Sequence, residues 1–132
     1  MNKGYIRDFK IKFPHGIMFH HFHDNVKHLP GQGSITRSQF KKIIKYIGRE
    51  NILSPHEFIH NLKSKKKEKK VCITFDDALK CQYDIAFPIL KEFKIKAFFF
   101  IYSNVLDAKP DLLEVYRYFR LNYFKEVNDF YS

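Results

Sequence analysis

The chain has 132 residues, 45% of them hydrophobic and 17% aromatic, and carries a formal net charge of +10. That length suits one domain with a real core, and the apolar content excludes a disordered chain. Its two cysteines, Cys72 and Cys81, exclude a disulfide scaffold and match no zinc-binding spacing, so they read as reduced thiols.

The start, MNKGYIRDFKIKF, lacks the apolar core of a signal peptide, and no stretch reaches the roughly 18 apolar residues of a membrane span, so the expected location is the cytoplasm. GIMFHHF (16–22) has strand length, and in an extended chain His20 and His21 face opposite sides. Pro30, Gly31 and Gly33 mark 24–34 as a loop. Thr36 and Gln39 then form a capping box ahead of the helical stripe Phe40, Ile43, Ile44 and Ile47. Ser54, Pro55 and Glu57 announce a second helix. KSKKKEKK (63–70) sets six lysines against one glutamate and reads as a solvated loop. VCITF (71–75) follows as a strand. Leu79, Tyr83, Ala86, Leu90 and Phe93 predict a helix that Pro88 kinks or starts late. KAFFFIY (96–102) predicts a buried strand. After Pro110, Leu112, Val115, Tyr116, Phe119 and Tyr123 predict an amphipathic helix. The order β-α-(short β)-α-β-α-β-α implies a parallel sheet covered by helices. No repeat or linker divides residues 1–132.

The chemistry gathers at two strand ends. The strand 71–75 stops at two adjacent carboxylates, Asp76 and Asp77, and His20 and His21 end the first strand. Functional groups in parallel α/β folds collect at such carboxyl ends. Like charges that close repel, so the pair is either solvated at a turn or set against something positive such as a metal ion.

ITFDDA resembles the TFDDG motif of the polysaccharide deacetylase family, the NodB-homology domain. GIMFHHF resembles the Tyr-His or Phe-His strand that opens many members. GSITRSQFKKIIKYIGRENILSPHEF is similar to their first helix and turn, and ILKEFKIKAFFFI to their helix and apolar strand. The likeness runs over about residues 15–104 in the family's order. It implies the amino-terminal portion of a partial (β/α) barrel, and a zinc- or other divalent-metal-dependent de-N-acetylase acting on N-acetylated carbohydrate such as surface polysaccharide. It gives Asp76 the role of general base and Asp77 that of metal ligand. It makes His20 a catalytic acid, with His21 as the alternative.

Two departures qualify the likeness. Ala78 replaces the usual glycine, a tolerable change if the turn needs no positive φ. No histidine follows Asp77, so the family's two metal-binding histidines and the later barrel strands are missing. The expectation is one incomplete domain, inactive by itself and needing a complementary carboxyl-terminal chain. The alternatives are a non-catalytic remnant or a lysine-rich anion-binding module. The residues show no recognition helix, RNA-binding signature or zinc finger, so nucleic acid is not the expected partner.

Overall fold

The computed structural model describes residues 10–31 and 33–131; most of the segment read above for a leader lies outside them. In chain order the elements are β1 (His15–Phe19), β2 (Phe22–His23), β3 (Ile35–Thr36), α1 (Arg37–Ile47), α2 (Pro55–Lys63), β4 (Val71–Phe75), α3 (Phe87–Glu92), β5 (Phe98–Phe99), α4 (Leu112–Tyr123) and α5 (Val127–Tyr131). β1, β4 and β5 make a parallel sheet in the order β1-β4-β5, with Phe19 opposite Phe75 and Phe75 opposite Phe99. The architecture is the expected α/β one, a sheet of parallel strands with helices against it.

Both capping boxes form. Thr36 accepts from the Gln39 N–H and Ser54 from the Glu57 N–H, and each glutamine or glutamate side chain reaches back to the cap. α1 ends at Gly48 with φ +83, a conformation where a Cβ would meet the Glu50 carboxylate at 2.5 Å. The α1 stripe packs onto the sheet. Phe40 and Ile44 are fully buried, and Phe40 meets the Phe19 and Phe22 rings edge-to-face at 4.9 and 5.2 Å. These, with Ile73, Phe75, Ile85 and Ile89, form one core on a single face of the sheet. Both thiols are free and buried, and burial pushes the Cys72 thiol up to about 11.

Four sequence expectations are corrected. The first strand stops at Phe19; beyond it, Phe22 and His23 pair with Ile35 and Thr36 as a separate two-stranded ribbon. The helix expected from Leu79 contains a π turn, Gln82–Ala86, before α3. Pro88 cannot donate to the Asp84 carbonyl, which instead accepts from the Arg37 guanidinium at 3.4 Å. The wider turn brings Ile85 and Ile89 inward and leaves Tyr83 exposed. The segment 96–102 is a strand only at Phe98–Phe99, and Phe99 through Tyr102 are exposed rather than buried, because no further strand among the described residues covers that edge. Finally, α4 docks by the face opposite its apolar stripe: Glu114, Arg117 and Leu121 turn inward, while Leu112, Val115, Tyr116, Phe119 and Tyr123 face out. No described helix is long and apolar enough to cross a membrane.

Candidate functional site

The register of β1 against β4 builds the site. Phe19 and Phe75 are partners, so His20 and Asp76 are the first residues beyond two adjacent strand ends. The Asp76 N–H continues the ladder by donating to the Phe19 carbonyl at 3.3 Å. The His20 Nε2 lies 3.6 Å from Oδ2 of Asp76 and 3.8 Å from Oδ2 of Asp77. The positive group set against the carboxylate pair is thus this imidazole when protonated. All three side chains reach solvent. A cavity of about 430 Å³ opens beside them, lined by Met18, Thr74, Asp76, Asp77, Phe100, Ile101 and Tyr102.

The turn that presents the carboxylates is left-handed at two successive residues, Asp77 with φ +72 and Ala78 with φ +51. The position of the substituted glycine therefore does require positive φ, and Ala78 carries the strain that glycine would not.

Gln82 was not singled out from sequence, yet it joins the two strand ends. Buried to 1% exposure, its Nε2 donates to the His20 carbonyl at 2.9 Å and to the Asp76 carbonyl at 2.6 Å. Both partners are acceptors, which fixes the orientation of the amide. The only hint in the sequence is a polar residue at a buried helical position.

His21 turns away from the carboxylates. Its Nε2 lies 2.9 Å from Oε1 and 3.1 Å from Oε2 of Glu114 on α4, while its ring stacks parallel to that of His20 with centroids 6.3 Å apart. Burial holds the His21 pKa below its ordinary value, against the opposite pull of Glu114. Together the two residues line a cavity of about 230 Å³ under α4, with Phe22, Leu79 and Cys81. Glu114 is a second residue that sequence reasoning missed, since nothing local links positions 21 and 114.

The other histidines have structural partners or surface positions. His15 bonds to the Phe13 carbonyl, His23 to the Ser34 hydroxyl and His28 to Asp84. His15 and His23 lie in strands, and His56 and His60 are exposed on α2.

Among the described residues, no three His, Cys, Asp or Glu side chains are arranged to hold a metal ion. A catalytic zinc needs three protein ligands and an open position. The residues present do not fit that group by themselves. What they do offer is proton chemistry: an imidazole between two carboxylates, open to solvent, at the mouth of a partly apolar cavity.

Comparison with known proteins adds independent findings. The polysaccharide deacetylase family model matches residues 63–118. Poly-beta-1,6-N-acetyl-D-glucosamine N-deacetylase of Staphylococcus aureus is 36% identical over 97 residues, covering 64% of this chain and 33% of the relative. The enzyme of the same name from Staphylococcus epidermidis is 36% identical over 78 residues, covering 57% of this chain and 27% of that relative. Among solved structures, IcaB from Ammonifex degensii superposes with a TM-score of 0.56 at 25% identity, covering 67% of this chain and 38% of that one. A de-N-acetylase from Aggregatibacter actinomycetemcomitans superposes with a TM-score of 0.58 at 23% identity, covering 73% and 40%. The chain spans about a third of the length of the curated relatives it matches.

Proposed function

We propose that this chain, whose residues 63–118 match the polysaccharide deacetylase family model, carries part of such a domain, and that its Asp76, Asp77 and His20 are one side of a site that hydrolyses the acetamido group of an N-acetylated carbohydrate. In that reaction the amide C–N bond breaks, water supplies hydroxyl to the acetyl carbon and a proton to the nitrogen, and acetate and a free amine leave. Asp76 takes the proton from the attacking water, and His20 returns one to the departing nitrogen. Asp77 would hold a metal only if the remaining ligands were supplied from outside this chain. His21, bound to Glu114, positions His20 by ring stacking rather than serving as the acid. The substrate class follows the relatives, whose names specify a poly-N-acetylglucosamine.

The observation that carries this reading is the convergence of His20 on both carboxylates at the carboxyl ends of neighbouring parallel strands. The test is acetate release from an N-acetylglucosamine oligomer in the presence of zinc. The 132-residue chain alone is expected to show none. The chain joined to the rest of a deacetylase domain is expected to release acetate, and Asp76→Asn to abolish that release. Undiminished turnover by Asp76→Asn would sink the assignment.

A further inference from the structure

Of the seven histidines, His15, His20, His21, His23 and His28 each meet a carbonyl, a carboxylate or a hydroxyl. His56 and His60 differ. Both are exposed, and neither has a hydrogen bond or ion pair among the described residues. They stand four positions apart in the run HEFIH (56–60), inside α2. Four positions is just over one helical turn, so the two rings leave one face, with Cβ atoms about 5–6 Å apart. They line a single cavity of about 490 Å³ with Asn61, Ser64, Glu68 and Lys70. That cavity lies at the start of β4, because Lys70 precedes Val71, whereas Asp76 and Asp77 follow Phe75 at its end. The length of the strand, about 17 Å, therefore separates the pair from the candidate hydrolytic site.

Two imidazoles at this spacing can chelate one metal ion, each ring nitrogen reaching about 2.0–2.1 Å from a zinc. The carboxylates of the cavity are already engaged. Glu57 Oε2 accepts from the Ser54 N–H at 2.8 Å, and its bonds to Ser54 hold its pKa below the ordinary value. Glu68 Oε2 lies 2.9 Å from Lys70 Nζ. Hard cations such as Ca²⁺ and Mg²⁺ need several oxygen ligands, and no carboxylate joins the two histidines in a three-ligand cluster among the described residues. Imidazole suits Cu²⁺, Ni²⁺ and Zn²⁺ instead. The order His-Glu-x-x-His is also that of a zinc peptidase helix, in which the glutamate is the base. Glu57 is held at the cap of α2, so the pair is a binding site and not a second hydrolytic centre.

We propose that His56 and His60 form a chelate for one late first-row transition-metal ion, Zn²⁺, Ni²⁺ or Cu²⁺, whose remaining positions are open to water. The ion clamps the first two turns of α2. Asn61, the next residue, ties that helix to the Glu68 main chain, so the clamp also steadies the lysine-rich loop. This site is independent of the hydrolytic reading above, which uses neither histidine.

The test uses the full 132-residue chain and nickel(II) chloride, with calorimetry for affinity and NMR for location, since paramagnetic Ni²⁺ broadens the signals around it. The expected result is one bound equivalent, with broadening centred on His56 and His60. Partners that merely orient a metal ligand are worth about 10–100-fold in affinity, so loss of a ligand itself in His56→Ala or His60→Ala should weaken binding by at least about tenfold. Without metal each variant should keep the cooperative melting of the wild type, because both side chains are exposed. No saturable binding, binding undiminished in either variant, or broadening centred on His20, Asp76 and Asp77 instead overturns the proposal. Absence of acetate release bears on the proposed function alone and leaves this site standing.

Discussion

Nε2 of His21 and Oε1 of Glu114 meet at 2.9 Å although 93 positions of chain separate them. The contact holds α4 over the carboxyl end of β1, and through the stacked rings it bears on His20. Burial keeps the folded-state pKa of His21 below the ordinary 6.5. The unfolded chain therefore takes the proton first as pH falls. The stability contributed by neutral His21 is fully present above 6.5 and declines below it. Unfolding by urea should show a less stable protein at about pH 5.5 than at about pH 7.5. His21→Gln keeps a donor for Glu114 without a titrating ring, and should flatten the difference. Asp24, Glu57 and Asp84 have lowered pKa values and remain ionised across that window. A pH dependence that survives in His21→Gln would assign the effect elsewhere.

Ala78→Gly should stabilise the fold. A left-handed conformation costs an L-residue about 1–2 kcal/mol, and Ala78 has φ +51. Glycine's greater freedom in the unfolded chain offsets about 0.4–1 kcal/mol of that relief. The net gain expected in a denaturant titration is about 1 kcal/mol. A loss of stability would show that the methyl group makes packing contacts worth more than the strain.

Asn61 organises the start of β4. Its buried amide accepts from the Glu68 N–H at 2.7 Å and donates to the Glu68 carbonyl at 2.9 Å, closing the lysine-rich loop. Asn61→Ala should cost about 1–3 kcal/mol, because the Glu68 N–H loses its acceptor while the Glu68 carbonyl keeps only the Lys70 N–H at 3.0 Å. Amide exchange in the segment 65–69 should accelerate. Unchanged exchange there would mean that the loop is ordered by other contacts.

The outward stripe of α4 makes a solubility prediction. Tyr116 is 61% exposed in a row with Val115, Phe119 and Tyr123. Exposed apolar patches of this kind drive association. Tyr116→Lys should raise the monomer fraction in sedimentation at tens of micromolar and change stability by less than about 0.5 kcal/mol. A clear fall in melting temperature would show that the stripe is packed in solution.

Much of this protein is legible in its sequence because local chemistry decides it. The capping boxes at Thr36 and Ser54, the α1 stripe and the strand ending at Phe75 are written in short-range patterns, because caps and amphipathic periods are settled by neighbours within a few positions. The placement of His20 beside the carboxylates needed one further step, the parallel register that sets Phe19 opposite Phe75. Tertiary structure alone decided the rest. Tyr83 left the core because a π turn ahead of Pro88 rotated the helix beneath it. The apolar run at Phe99 stayed exposed because burial of a strand depends on what pairs with it, not on its own composition. α4 turned its apolar stripe outward and its Glu114 inward, since a helical period says which residues share a face but not which face finds a partner. Gln82 and Glu114 entered the site because their contacts, the ties to the His20 and Asp76 carbonyls and the link to His21, exist only once distant strand ends are brought together.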